Sequence, residues 1–436
     1  MDQGKESSNS LKLPHSTEAK RESRTISDSL ALLWTKRFGT FWVGSLLSNI
    51  GTWMQQVAEP WLVLSMSGSP VLLGLDAFAM DAPVWVLTIL GGVLADHADR
   101  RRVIFFFQAI QMLCPLLLVF LILTGWLHVW MIVVLSFVVG ITDALSMPAF
   151  QSVVPLIVKK DRIGNAIALN STQFNLSRVL GPAFAGVVMA RFGALGCFAA
   201  NTLSYVPFLG VILWILPKNA KAKRFDRKSL GTEPWYSEVR AIGKNPVLRG
   251  GLLTVLTTSL LCGPLVAFAP VLIKDIFHSD ASHFGGALAA FGIGGLLGAF
   301  AVLGIDNRIG RRKLSSGCAI LYAVAVICVA LNRSLWGLSG LLVVAGAALT
   351  MTNTSVNSIL QGAAHDQIRG QAASLYMLAM RGGMSLGNLV MGFSVHFFGI
   401  SHALVANGVV AILIHAWMYR NWACEKPPVI QLAERA

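Results

Sequence analysis

Four ionisable side chains interrupt long apolar stretches of this chain: Asp81, Asp143, Arg178 and Arg381. Charged groups are costly in hydrocarbon, so each one is expected to act on a ligand, an ion or a proton unless a neighbouring group neutralises it. A buried carboxylate near an Arg can change protonation when the two groups approach or separate. These residue types therefore predict proton or ion chemistry inside an apolar body.

The spacing of these groups suggests which of them pair. Counted along their helices, Asp143 and Arg178 fall at comparable depth, so a pair between them is possible, and so is a pair of Asp81 with Arg178. Two interpretations stay open for such a pair, a proton carrier or a fixed strut. The proton-carrier interpretation is stronger for Asp81, because Pro83 frees a backbone carbonyl nearby. Asp76 lies nearer the end of its stretch and is expected to be solvated.

Arg381 stands beside two glycines and has no intramembrane carboxylate in its own half of the chain. Three roles stay open for it. It can hold an anionic ligand group in a water-filled cavity, pair across that cavity with Asp81 or Asp143, or bond backbone carbonyls freed among the glycines.

Further polar side chains occur on otherwise apolar helices. Helices that pack only on lipid have no use for such faces, so these residues are expected to line a path through the molecule. Glu59 is interpreted either as a coupling acid or as a charge at the mouth of that path. The candidate residues are Gln55, Glu59, Asn175, Asn353 and Asn357.

The elements that must position these residues follow from composition. Of 436 residues, 55% are hydrophobic and only 13% are charged, as in a chain embedded in a membrane. Apolar runs long enough to cross hydrocarbon predict an all-α polytopic membrane protein with twelve transmembrane helices. They are expected at roughly 38–66, 71–95, 102–124, 129–152, 164–191, 195–216, 250–273, 283–305, 313–331, 335–360, 369–396 and 400–421.

A polar stretch divides these helices into two six-helix bundles. The predicted domains are a tail 1–37, a bundle 38–216, a central loop 217–249, a bundle 250–421 and a tail 422–436. With both tails and the central loop in the cytoplasm, all but five of the 35 Lys and Arg residues lie on the cytoplasmic side or its loops, as the positive-inside rule requires. The net charge of +14 is therefore attributed to topology and anionic lipid, and no nucleic-acid partner is expected.

The loop between the second and third helices has a counterpart in the second bundle. Its residues Asp96, Arg100 and Arg101, which follow Gly92, are echoed 211 residues later by Asn307, Arg311 and Arg312. The second copy also has Arg308 and Gly310 where the first has His97 and Asp99. A second echo joins Gly181 and Gly186 to Gly387 and Gly392. Similar offsets at separate points predict a duplicated six-helix unit.

The first of these loops, with Gly92, Leu94, Ala95, Asp96, Arg100 and Arg101, resembles the corresponding loop of major facilitator superfamily transporters. His97 and Asp99 replace the usual Arg and Gly. The form Ala-Asp-x-x-Asp-Arg-Arg-Arg also looks like the branch that contains the enterobactin (siderophore) exporter. In that family the Asp and Arg groups lock neighbouring helices on the cytoplasmic side, and the resemblance implies the same role here.

The segment Gly181-Pro182-x-x-x-Gly186 resembles the Gly-Pro signature of the superfamily's antiporters. Pro removes one backbone hydrogen bond and Gly permits close packing, so the helix can kink against its partner. Ordinary small-residue packing is the open alternative.

The resemblance implies a secondary active transporter of the inner (plasma) membrane, a monomer that exports a small amphipathic molecule or siderophore in exchange for protons by alternating access. An importer or uniporter shares this architecture, and a non-transporting sensor or scaffold is an alternative of another class. Neither HExxH, nor an Asp-rich pair, nor a Ser/His/Asp grouping occurs, and the Walker A pattern is missing. No enzyme activity, cofactor or metal is therefore expected.

Overall fold

The computed structural model describes residues 30–216, 243–305, 310–363 and 369–423. These ranges hold twelve long helices that overlap the twelve predicted ones, so the predicted fold class is confirmed. They are α1 Lys36–Ser67, α2 Pro70–His97, α3 Arg100–Thr124, α4 Val129–Gln151, α5 163–192, α6 194–215, α7 246–276, α8 Ala281–Gly304, α9 Arg311–Leu331, α10 Leu335–Ala363, α11 369–398 and α12 Ile400–Met418.

Local chemistry sets several of the helix ends. Gly68 ends α1 with a φ of 61°, and Ser69 then caps α2, where its hydroxyl accepts from the backbone of Leu72. Asn245 caps α7 in the same manner, so this helix begins at Pro246 and not at residue 250 as predicted. Part of the expected central loop, residues 217–242, lies outside the described residues.

A single residue joins α5 to α6. Gly193 has φ 62° and ψ −165°, a conformation open almost only to glycine, and residues on both sides of it are helical. The predicted gap between these two helices is therefore a kink rather than a loop.

Two helices of the second half contain π-helical turns, and a further π-helical turn, Tyr419–Ala423, directly follows α12. The turns within the two helices lie at Thr258–Cys262 and Leu272–Ile276 in α7 and at Leu378–Gly382 in α11. Such turns leave the regular hydrogen-bond ladder and are frequent at functional sites. The turn in α11 contains Arg381.

Length and composition mark nine segments of the described ranges as able to cross a membrane, and one of them, Lys160–Ile215, contains both α5 and α6. Among the twelve helices, α1 and α11 are not in this set. These are the helices that carry Glu59 and Arg381. Both helices thus contain an ionisable side chain within an apolar stretch. The helices that pack against them must compensate this polar group.

Basic residues mark one end of the bundle, which we call the basic face. It is the end at which α1, α3, α5, α7, α9 and α11 begin, and it carries Lys36, Arg37, Arg100, Arg101, Arg102, Lys159, Lys160, Arg162, Lys244, Arg311, Arg312, Lys313 and Arg369. Towards the opposite face, both halves of the chain share one hydrophobic core, which includes Phe198 and Phe284. Towards the basic face the cores are separate, with Phe41 and Phe208 in one half and Leu248 and Val356 in the other.

Close backbone contacts hold the two halves together towards the opposite face. Between α2 and α11, a Cβ on Gly74 would lie 3.1 Å from the Cα of Gly392. Between α5 and α8, a Cβ on Gly186 would lie 3.4 Å from the Cα of Gly285. Glycine at these positions lets the helices pack backbone against backbone. The two halves are therefore in close contact at the opposite face. Towards the basic face they separate from each other.

Candidate functional site

Arg381 links the two halves of the molecule by ion pairs. Its Nη2 lies 2.8 Å from Oδ1 of Asp81, and its Nη1 lies 2.7 Å from Oδ2 of Asp143. Nε also donates to Asp81 Oδ1 at 3.0 Å. The side chains of Arg381, Asp81 and Asp143 are 20%, 11% and 30% exposed, so the cluster is largely shielded but reachable. One guanidinium from the second half thus neutralises two carboxylates from the first.

Backbone packing brings these three groups together. On α4, Gly140 packs directly against the carbonyl of Met80, which brings Asp143 beside Asp81. On α11, the Ser385 hydroxyl donates to the carbonyl of Phe78 at 3.3 Å and fixes the register of this helix against α2. The cluster lies at the junction of α2, α4 and α11.

The expected pairs of Arg178 with Asp143 or Asp81 are wrong for this structure. Arg178 forms no ion pair with a described residue, and both carboxylates are taken by Arg381. Comparable depth was the basis of the prediction, but depth does not determine which way a side chain points around its helix. Of the three roles left open for Arg381, the structure shows pairing across the halves. Arg381 pairs with both carboxylates.

Arg178 lies instead between two aromatic rings. Its Cζ is 5.8 Å from the ring centroid of Trp53 on α1 and 5.7 Å from that of Phe291 on α8. Cation–π attraction of this kind contributes about 0.5–2 kcal/mol. Since α1 and α5 belong to the first half and α8 to the second, this is a second contact between the halves.

Glycines on both sides of Arg178 make this arrangement possible. A Cβ on Gly181 would lie 3.3 Å from the Cα of Trp53, so α1 approaches α5 closely there. A Cβ on Gly292 would lie 2.8 Å from the carbonyl oxygen of Arg178, so α8 does the same. Gly181 and Pro182 are buried in α5. The Gly-Pro segment therefore packs α5 between α1 and α8.

A second acidic cluster lies wholly within the first half. The hydroxyl of Ser136 on α4 is 2.5 Å from Glu59 Oε1 and 2.7 Å from Asp76 Oδ1. Glu59 is 7% and Asp76 is 4% exposed, so the expectation that Asp76 is solvated is wrong. Its position in the sequence near a helix end did not reveal that α1 and α4 cover it.

Counting hydrogens constrains the charge of this cluster. Ser136 Oγ also contacts the carbonyl of Ile132 at 3.0 Å, so one hydroxyl proton faces three acceptors. A hydroxyl oxygen can accept in turn, but an ionised carboxylate cannot donate. At least one of Glu59 and Asp76 must therefore carry a proton for both short contacts to be attractive. The pair then holds at most one negative charge.

A chain of amides extends from this cluster. Gln55 Nε2 donates to Glu59 Oε2 at 2.8 Å, and Asn201 Nδ2 donates to Gln55 Oε1 at 2.6 Å. Beside them is a small cavity with room for about one water molecule. It is lined by Thr52, Gln55, Gln56, Glu59, Met80, Gln111, Val139, Asn201 and Tyr205.

The remaining polar candidates make contacts within their own helices or have none. Asn175 Nδ2 donates to the carbonyl of Ser171 in the preceding turn of α5. Asn353 Oδ1 is buried without a hydrogen-bond partner, and Asn357 is exposed and accepts from Gln361. None of these contacts joins them to Arg381.

The loop residues are described only in part. The backbone of Gly92 and Asp96 is helical at the end of α2, but the side chain of Asp96, and all of Asn307 and Arg308, lie outside what the structure describes. Asp99 caps α3 by accepting from the backbone of Arg101 at 3.1 Å. In the second half, Gly310 caps α9 and Arg311 begins it.

Two observations of this loop bear on its charges. Arg100 Nε is buried without a hydrogen-bond partner, and Arg102 Nε lies 3.7 Å from Asp99.

Across the described part of the chain, no three His, Cys, Asp or Glu side chains are grouped to hold a metal ion.

The sequence comparisons agree with this architecture. The staphyloferrin A transporter of Staphylococcus aureus is 25% identical over 389 residues, which cover 87% of this chain and 94% of the relative. The multidrug efflux pump Tap of Mycolicibacterium fortuitum is 24% identical over 388 residues, which cover 85% of this chain and 93% of the relative.

A solved structure has the same fold. It is a bacterial homologue of the human lysosomal transporter Spinster, in an inward-facing and unoccupied conformation. It superposes with a TM-score of 0.70 over 88% of this chain and 95% of that chain, at 16% identity. The model of the transmembrane secretion effector family matches residues 27–428. The chain therefore belongs to the transmembrane secretion effector family, and it is a multi-pass membrane transporter with the major facilitator superfamily fold.

Proposed function

We propose that this transporter exports a small amphipathic molecule across a bacterial plasma membrane in exchange for protons. The observation that carries the proposal is the bridge from Arg381 to Asp81 and Asp143, because it places ionisable groups between two halves that must move apart. The names of the two relatives, a staphyloferrin A transporter and a multidrug efflux pump, support small-molecule export.

The state of the bundle gives the proposed cycle its starting point. With the basic face in the cytoplasm, as the positive-inside rule requires, a molecule sealed at the opposite face is inward-facing. Opening of the opposite face separates α2 from α11 and removes Arg381 from Asp81. A carboxylate left alone in a low-dielectric site then gains a proton from outside. On return, the guanidinium displaces this proton towards the cytoplasm.

The Glu59 and Asp76 cluster has a different place in this proposal. It lies inside one half and not between the halves, so rigid rocking leaves its contacts intact. It serves to hold α1, α2 and α4 together around a shared proton.

Transport in proteoliposomes tests the proposal. The double variant Asp81→Asn and Asp143→Asn is expected to abolish uphill export driven by an imposed pH gradient, while substrate still equilibrates downhill. Asp161→Asn is a matched control, since Asp161 is exposed before α5. Full uphill export by the double variant would reject the proposal. Substrate uptake driven by the same gradient would instead indicate an importer, and gradient-independent flux a uniporter.

The loop after α2 is proposed to lock neighbouring helices on the cytoplasmic side in one conformation, as its resemblance to the family implies. Asp96→Asn and Arg100→Ala are then expected to slow conformational exchange and transport. Unchanged rates in both variants would count against this role.

A monomer is proposed as the transporting unit. A mass measurement of the protein in detergent-free nanodiscs tests this proposal.

A further inference from the structure

The guanidinium of Arg178 has no acceptor in the described structure. It makes no hydrogen bond and no ion pair with a described residue, whereas Arg381 makes three contacts with two carboxylates. A guanidinium carries five N–H donors and stays charged, so a membrane interior that leaves them all unpaired is costly. A ligand with anionic oxygens would satisfy both the donors and the charge of this cation.

The two aromatic rings beside Arg178 supply no oxygen or nitrogen acceptor for its N–H groups. The ring centroids of Trp53 and Phe291 both lie within 6 Å of Cζ. Arg178 itself is partly exposed, and so is Trp53, while Phe291 is 3% exposed. A fork of unpaired donors therefore lies next to a partly exposed indole.

We propose that Arg178 binds the carboxylate of the transported molecule, while Trp53 contacts its adjoining apolar part. This rests on the proposed function in one respect, that the chain carries a small amphipathic molecule, and it narrows that class to organic anions. A planar guanidinium fork matches a carboxylate bidentately, and such charge-assisted bonds are about twice as strong as neutral ones.

The position of this site also explains how the anion is released. Phe291 lies on α8 in the second half, and Arg178 and Trp53 lie in the first half. The α5–α8 contact at Gly186 and Gly285 lies between this site and the opposite face. Opening of that contact removes the Phe291 ring from Arg178 and admits water. An ion pair with the ligand weakens as water enters, so affinity falls when the site opens outwards.

Equilibrium binding to the full-length protein in nanodiscs tests the proposal. The probes are radiolabelled 1-naphthoate and its neutral analogue 1-naphthamide, which differ in charge but little in shape. Wild type is expected to prefer naphthoate by about tenfold or more, as a charge-assisted bidentate bond implies. Arg178→Gln is expected to remove this preference. Trp53→Leu is expected to weaken both probes and keep the preference.

Arg191→Gln is the matched control. Arg191 lies exposed near the end of the same helix, so its loss is expected to leave the preference unchanged. If Arg178→Gln does not fold by gel filtration and circular dichroism, Arg178→Lys replaces it and is expected to lower the preference several-fold because the fork is lost.

Three results would overturn the proposal: equal affinity of wild type for both probes, an unchanged preference in the folded Arg178 variant, or no saturable naphthoate binding at millimolar concentration. The measurement uses no proton gradient and no export. A failure of proton-coupled export in liposomes would therefore leave its outcome unaffected.

Discussion

Arg381 Nη1 lies 2.7 Å from Asp143 Oδ2, and this contact ties α11 of the second half to α4 of the first. Asp81 on α2 shares the same guanidinium at 2.8 Å. One side chain thus compensates two charges that would otherwise be isolated, and its loss affects both at once.

Arg381→Gln is accordingly expected to destabilise the protein by on the order of 3 kcal/mol, because breaking a buried ion pair leaves uncompensated charge. Adding Asp81→Asn to this variant is expected to restore part of the loss. Thermal unfolding in detergent measures both. Arg191→Gln, an exposed arginine, serves as the control. If the double variant is as unstable as the sum of the two single variants, the two residues are not coupled.

Glu59→Gln is expected to fold with a stability within about 1 kcal/mol of wild type, because an amide keeps a donor towards Ser136 and an acceptor towards Gln55. Ser136→Ala, which leaves the two acids without their bridge, is expected to cost about 1–3 kcal/mol. Denaturant or thermal unfolding gives the comparison.

Infrared spectroscopy checks the shared proton directly. Wild type is expected to show the carbonyl stretch of a protonated carboxyl group at neutral pH, and this band is expected to change in Asp76→Asn and Glu59→Gln. A wild-type spectrum without such a band would show that the hydrogen count at Ser136 is wrong.

Gly74→Val is expected to force α2 away from α11, since a Cβ there would meet the Gly392 backbone. Overpacking of this kind costs about 1–3 kcal/mol. Gly210→Val on α6 is the matched control, because a Cβ at Gly210 has no neighbour within 4 Å. Thermal unfolding and spin-label distances across the opposite face measure the effect. Equal distances in the two variants would contradict a seal at this contact.

Asp280 provides a test by pH outside the membrane. Bonds from Ser282 and His283 lower the pKa of this carboxyl group from 3.8 to about 2. Because the folded-state value is the lower one, the stabilisation is fully present above about pH 4 and is lost as pH falls through 2. The protection factor of the amides at the start of α8, which is corrected for the pH dependence of intrinsic exchange, is expected to fall over that range in wild type but not in Asp280→Ala, which has lost the cap at any pH.

Asp280→Ala is also expected to raise exchange at neutral pH by an amount that corresponds to roughly 1 kcal/mol, the usual value of a helix cap. Asp161→Ala, an exposed acid before α5, provides the comparison. Identical exchange in the two variants would show that Asp280 does not stabilise α8.

The helices were predictable from the sequence because apolar runs of membrane length are bounded by charge, Gly or Pro. The ion-pair partners of the charged residues were not predictable in this way. Asp143 and Arg178 match in depth, yet Arg381, 238 residues from Asp143 in sequence, pairs with its carboxylate. Side-chain direction around a helix depends on which face its neighbours cover, and an apolar run carries no such information.

The cluster at Ser136 was missed for a related reason. A single Ser in an apolar run is usually satisfied by its own helix, and Ser136 does contact the carbonyl of Ile132. Asp76 was the available signal, since it lies five residues from Asp81 on the same helix and needed a partner of its own.

Gly193 alone connects α5 to α6. Because a single residue joins the two helices, the end of α5 cannot move away from the start of α6, and a displacement of one at Gly193 displaces the other. Arg178 lies on α5 and Asn201, the last amide of the chain from Glu59, lies on α6. When the first half rocks as a rigid body, Arg178 and this amide network therefore move together.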